Sequence, residues 1–176
     1  RSRPGYVAFA LLLCIMFIDS HVHFDRFVKD GTFDEILASA KESDVLKMLA
    51  IGGSTDANTL SLKLATESWG RFSVAPAMTA TSLLNPTISQ NSAIVWPALV
   101  KGVGETGRDY NYTADTAVEQ KKLFSENLAL AVEFQKPVVI HSRDADEDSV
   151  AMLRDYAGAW KGAGDRLGVL HCFTRD

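Results

Sequence analysis

The sequence predicts an α/β fold of about six parallel strands with flanking helices. Short β-rich runs alternate with segments of helical period, and each of the six strands except the last is followed by a helix. Such alternation implies parallel pairing through right-handed crossovers. The runs VLKMLAI (45–51), VVI (138–140) and LGVL (167–170) are nearly all apolar, as expected for strands covered on both faces. An open doubly wound sheet and part of a (β/α)8 barrel both satisfy these observations.

Met16 to Ser20 reads as the first strand. Thr32 and Glu35 make a capping box, opening a helix along which Phe33, Ile36, Leu37 and Ala40 recur at helical spacing. Val45 to Ile51 is the next strand, stopped by Gly52 and Gly53. Ser54 or Thr55 can cap a helix carrying Leu60, Leu62, Leu64 and Ala65, and Arg71 to Ala75 is the third strand. Residues 76 to 96 show no clear period. Leu99 to Glu105 is the fourth strand, followed by a polar turn and a helix from about Asp115 to Phe134. Pro137 to His141 is the fifth strand. Asp144 can cap a helix through Met152 and Leu153 to Tyr156, Gly158 and Gly162 break that pattern, and Leu167 to His171 is the sixth strand.

The 176 residues suit one ordinary domain, and 47% apolar with 23% charged residues is a soluble globular composition. A net charge of −4 argues against a broad basic nucleic-acid face and against adhesion to anionic membranes. A phosphate-bearing substrate would therefore need a local attractor. Cys14 and Cys172 are too few for a disulfide framework and fit a reducing, cytoplasmic setting. Residues 1–15 read as an apolar N-terminal extension outside a fold that begins at Met16. The apolar stretch from Tyr6 to Ile18 falls short of the roughly 20 residues that span a bilayer, with a signal or anchor as the alternative.

All four histidines lie at or just beyond the carboxyl end of an expected strand, where α/β folds build their active sites. Asp19, His21 and His23 share one strand face, Glu105 ends the fourth strand, and His141 and His171 end the fifth and sixth. A single histidine so placed is more often a core or loop residue, but four of four converging with a carboxylate form a ligand set for borderline divalent metals. The carboxylate can bridge two ions. Asp19, deeper on the same face, can accept a hydrogen bond from a ligand imidazole. Arg143 is either a phosphate contact or a solvated first-turn arginine.

Together D-S-H-V-H (19–23), G-E-T-G-R-D (104–109), I-H-S-R-D (140–144) and H-C-F-T (171–174) resemble the successive motifs of the TatD-type metal-dependent hydrolases, within the amidohydrolase superfamily. The resemblance implies an incomplete TIM-type (β/α)8 barrel over residues 16–176 and two divalent ions, of magnesium, manganese or zinc. It implies hydrolysis of phosphodiesters, with DNA or a small phosphodiester as substrate. His21 and His23 would bind one metal, Glu105 would bridge and take part in catalysis, and His141 with His171 would complete the second site. The family's usual His-Pro after the third strand is Ala75-Pro76 here, its G-L-D is Gly107-Arg108-Asp109, and its late metal-binding aspartate would lie beyond Asp176. The expectation is a TatD-like deoxyribonuclease impaired by that loss, with open barrel edges that drive self-association. The alternative is a non-catalytic barrel remnant or interaction module that retains a partial metal site.

Other features read more plainly. GVGETG (102–107) fits a dinucleotide fingerprint, but RDYNYT after it is a polar turn rather than the opening of a helix. Cys172 is expected to pack outward beside His171. Tyr110 and Tyr112 are either a stacking platform or rim residues. Asp144, Asp146, Glu147 and Asp148 read as partners of a helix dipole.

Overall fold

The computed structural model describes residues 16–68, 71–76, 99–112, 114–162, 164 and 166–171. The N-terminal extension, most of the stretch from 76 to 96, Cys172 and the rest of the last motif lie outside the described residues. Strand β1 (Phe17–Val22) is followed by helices α1 (Phe24–Asp30) and α2 (Phe33–Glu42), then β2 (Val45–Ile51), α3 (Thr55–Glu67) and β3 (Phe72–Ala75). The second half runs β4 (Val103–Asp109), α4 (Ala117–Glu133), β5 (Val138–Arg143), α5 (Asp146–Ala159) and β6 (Gly168–Leu170).

All pairings are parallel, in the order β1-β2-β3 and β4-β5-β6. A bridge between Val74 and Val100 and hydrogen bonds from Lys101 N–H to Val74 O (2.9 Å) and Gly104 N–H to Pro76 O (3.1 Å) join the two halves. The strands thus follow one another in chain order. A doubly wound sheet reverses its order midway, so this is the barrel arrangement, incomplete at six strands among the described residues.

Helices cover the outer face. Phe24, Phe33 and Phe72 interlock with Met48 and Val74 beneath α1 to α3, and Phe124, Leu128 and Tyr156 pack on Val103, Val138 and Ile140 beneath α4 and α5. Ile51, Ala75 and Val139 meet across the concave face. Among the described residues the outer edges are open, with Phe17 and Ile18 of β1 exposed and Val169 and Leu170 of β6 at 49% and 37% exposure. Among the described residues no helix is long and apolar enough to cross a membrane.

Five local expectations are corrected. β4 begins at Val103 and runs through GETGRD, because β5 pairs Thr106 with Ile140, Gly107 with His141, Arg108 with Ser142 and Asp109 with Arg143. Glu105 is therefore inside the strand, and no helix opens at Gly107 to hold a dinucleotide. Helix α1 was not expected; Gly31, at φ 72°, ends it with its N–H bonded to the last turn, and Phe24 at 1% exposure anchors it. Ser54 Oγ accepts the Ala57 N–H at 3.1 Å as a helix cap should, but Thr32 makes no such bond and Ala145, not Asp144, precedes α5. Asp144 instead adopts φ 55° and accepts from Asn111 Nδ2 at 3.2 Å, while α5 continues through Gly158 to Ala159.

Candidate metal centre

The site assembles at the carboxyl ends of β1, β4, β5 and β6. His21 is the penultimate strand residue of β1 and His23 the residue that opens α1, so the two imidazoles leave the strand on one side. Glu105 reaches them from β4, which pairs in parallel with β5. Gly104 and Gly107 adopt φ of 151° and 152°, and a Cβ on either would overlap the carbonyl oxygen of Val139 or His141. The glycines of GETG thus let the carboxylate enter the site without forcing the strands apart.

Glu105 is the hub. Its Oε2 lies 3.3 Å from Nε2 of both His21 and His23, and its Oε1 lies 2.9 Å from His141 Nδ1 and 3.9 Å from His171 Nε2. The His21 and His23 Nε2 atoms are 3.2 Å apart, and the His21 ring stacks on His171 at 3.6 Å with the planes 6° apart. Desolvation pushes the Glu105 carboxyl upward, but the His23 hydrogen bond and the charges of His21, His171 and His141 outweigh it and hold the group at about 2. Burial, reinforced by His171, keeps His21 below the ordinary imidazole value, whereas the hydrogen bond to Glu105 raises His23.

The donor set fits a divalent cation. Bonds of about 2.0–2.2 Å to one ion place neighbouring ligand atoms roughly 3.0–3.5 Å apart. The triangle of His21 Nε2, His23 Nε2 and Glu105 Oε2 has sides of 3.2, 3.3 and 3.3 Å. Ligand atoms of His21, Glu105 and His171 also lie within 4.8 Å of one another. Imidazole nitrogens turned on each other and on one carboxylate gain little without protons or a cation between them.

Other expected residues sit differently. Asp19 Oδ1 accepts the backbone N–H of His21 at 2.9 Å rather than an imidazole proton. Arg143 is exposed at the end of β5, its guanidinium 5.0 Å from the centre of the Tyr112 ring, outside the hydrogen-bonded cluster. Asp148 is more than a helix-dipole partner, since it accepts from Tyr110 Oη at 2.6 Å and pairs with the buried Arg108 at 3.4 Å.

One residue the sequence analysis did not single out joins the site. Asp109 Oδ2 lies 3.0 Å from His141 Nε2, so His141 is held between two carboxylates. Desolvation of the Asp109 carboxyl is outweighed by hydrogen bonds from the Tyr112 N–H, His141 and the Asn111 N–H, which lower its pKa. The signal is strand parity, since Glu105, Gly107 and Asp109 alternate along β4, whereas a strand that ends at Glu105 leaves Asp109 outside the pattern. Glu105, Asp109 and His141 border an open cleft of about 460 Å³ that extends past Gly53 and Ser54 at the start of α3.

Comparison with known proteins identifies the family. Residues 18–176 match the family model of the TatD related DNases. A metal-dependent hydrolase of Escherichia coli, YcfH, is 31% identical over 163 residues, covering 90% of this chain and 59% of that protein. The 3'-5' ssDNA/RNA exonuclease TatD of Cronobacter sakazakii is 33% identical over 147 residues, covering 82% and 54%. The chain thus spans rather more than half the length of these relatives. Among solved structures, the TatD homologue YJJV of Escherichia coli superposes with a TM-score of 0.66 at 26% identity, over 80% of this chain and 56% of that one. A TatD family hydrolase of Entamoeba histolytica shares the fold, with a TM-score of 0.65 at 14% identity over 81% and 55%. The matched residues take in all four histidines, Glu105 and Asp109, and the chain belongs to the TatD related DNase family.

Proposed function

We propose that the chain is a divalent-metal-dependent phosphodiesterase acting on DNA or a small phosphodiester, in the manner of a TatD-like deoxyribonuclease. The observation that carries this reading is the Glu105 carboxylate, which offers one oxygen to His21 and His23 and the other to His141 and His171. A carboxylate shared in this way suits two cation sites, with His21 and His23 on one side and His141 and His171 on the other. Magnesium, manganese or zinc bound there would supply a water of lowered pKa and a Lewis acid for the phosphoryl oxygen. The protein's own part is to hold the imidazoles aimed and to keep Glu105 ionised.

Cation binding also answers the charge problem set by a net charge of −4, because the attractor for phosphate is then local. Arg143, at the rim beside Tyr112, is the side chain we assign to a substrate phosphate. Relatives named as 3'-5' ssDNA/RNA exonucleases make an end-labelled single-stranded oligonucleotide the first substrate to try, and the low cysteine content is our ground for placing the protein in the cytoplasm.

The test is hydrolysis of that oligonucleotide by the full chain with added manganese, magnesium or zinc. The expected result is metal-dependent cleavage, abolished by chelator and by Glu105→Gln. Cleavage indifferent to chelator would sink the proposal. A second reading, a non-catalytic barrel module that keeps a partial metal site, draws support from the exposed apolar edges of β1 and β6. Metal uptake without turnover on any phosphodiester would favour it.

A further inference from the structure

We infer that Gln120 is a positioning residue of the metal centre, acting through Asp109 on His141; the inference rests on the metal-centre reading above. Asp109 is the last residue of β4. On the β5 side the strand is closed by the Tyr110 N–H donating to Arg143 O at 2.9 Å. The N–H and C=O of Asp109 itself meet a side chain instead. Gln120 Oε1 accepts the Asp109 N–H at 2.7 Å, and Gln120 Nε2 donates to Asp109 O at 3.0 Å. The side-chain amide thus pairs with the strand end as a neighbouring strand's backbone would, and only one orientation of the amide satisfies both bonds. Gln120 Nε2 also donates to Thr116 Oγ1 at 3.1 Å, which fixes the amide against the start of α4.

What the clamp holds in place is a carboxylate with both oxygens committed. Asp109 Oδ1 accepts the backbone N–H groups of Asn111 and Tyr112, each at 2.9 Å, and Oδ2 faces His141 Nε2 at 3.0 Å. The other ring nitrogen of His141, Nδ1, points at Glu105. A ligating imidazole is normally held by a carboxylate on its far nitrogen, which fixes both tautomer and ring orientation. Asp109 occupies that position, leaving Nδ1 as the nitrogen turned to the ligand cluster. Without Gln120 the end of β4 loses these two hydrogen bonds, and the backbone that carries Asp109 is held less firmly against the imidazole. The Asp109 and Gln120 side chains both face the cleft, so the loss would be felt at the site itself.

The test titrates manganese into the full chain by calorimetry and records the visible spectrum of the cobalt-loaded chain, for wild type, Gln120→Met, Asp109→Asn and the double variant. Methionine keeps the length of the side chain and removes both hydrogen bonds. Gln120→Met is expected to weaken manganese binding about tenfold, in the range of residues that orient ligands, and to shift the cobalt bands as Asp109→Asn does. The double variant should bind no more weakly than Asp109→Asn alone, because the two residues act in series. Wild-type affinity and spectrum in Gln120→Met, or additive losses in the double variant, would overturn the inference while leaving the metal centre standing. Failure of the wild-type chain to take up either ion would overturn both. If Gln120→Met does not fold, Gln120→Glu decides, since it keeps the side-chain length but loses the donor to Asp109 O; a weaker affinity with shifted bands supports the clamp, and an unchanged pair of readings overturns it.

Discussion

Glu105 is one carboxylate among four imidazoles, and this sets two pH dependences of opposite origin. Metal ligation needs neutral imidazoles, so protons compete with the cation. The hydrogen bond to Glu105 raises His23, so that competition begins there, above the ordinary value of 6.5, while His21, lowered by burial, yields later. Manganese or zinc affinity is therefore expected to fall as pH drops from above 6.5, which calorimetry across that range measures. In the metal-free chain the shift at Glu105 runs in the opposite direction to that at His23, yet its effect is also lost on acidification. Its folded value of about 2 lies below the ordinary 4.5, so its contribution to stability is fully present above 4.5 and is lost as pH falls from there toward 2. Denaturant unfolding through that window should show the loss, and Glu105→Gln should remove this part of the slope.

At the scale of elements, β4 carries the site only because it can approach β5 closely. Gly107→Ala would force a Cβ against the His141 carbonyl at a φ that L-residues rarely adopt, and is expected to cost about 3 kcal/mol or more from strain and overpacking. Denaturant midpoints measure it, and a variant as stable as wild type would mean that β4 and β5 lie farther apart than described. The same strand shows what was legible in the sequence. β2, β3 and β5 are apolar runs ended by turn residues, so pattern alone located them within a few residues. For the fourth strand the pattern points to Leu99–Glu105, whereas the strand is Val103–Asp109 and polar GETGRD forms most of it, because tertiary pairing with β5 overrides propensity. That shift concealed Asp109 and Gln120, whose roles depend on where the strand ends. Helix α1 was missed because its seven residues are too few to show a period, although Gly31 marks its end.

The described residues form two three-stranded parallel sheets joined by the Val74–Val100 bridge, with the site at their carboxyl ends and the outer edges of β1 and β6 open among these residues. Phe17 and Ile18 on one edge and Val169 and Leu170 on the other are apolar and exposed, the pattern that pairs with further strands. Concentration-dependent self-association is expected by light scattering, reduced by Ile18→Lys together with Val169→Lys; a strictly monomeric wild-type chain would contradict this. The site survives at the open end of the sheet because its members reach one carboxylate from both edges, His21 from β1 and His171 from the end of β6. The most direct test of the account is therefore a calorimetric titration of manganese into the metal-free wild-type chain and into Glu105→Gln. The account predicts saturable binding to wild type and a loss of about a hundredfold in affinity in the variant. Equal binding by the two proteins, or none by either, would contradict it.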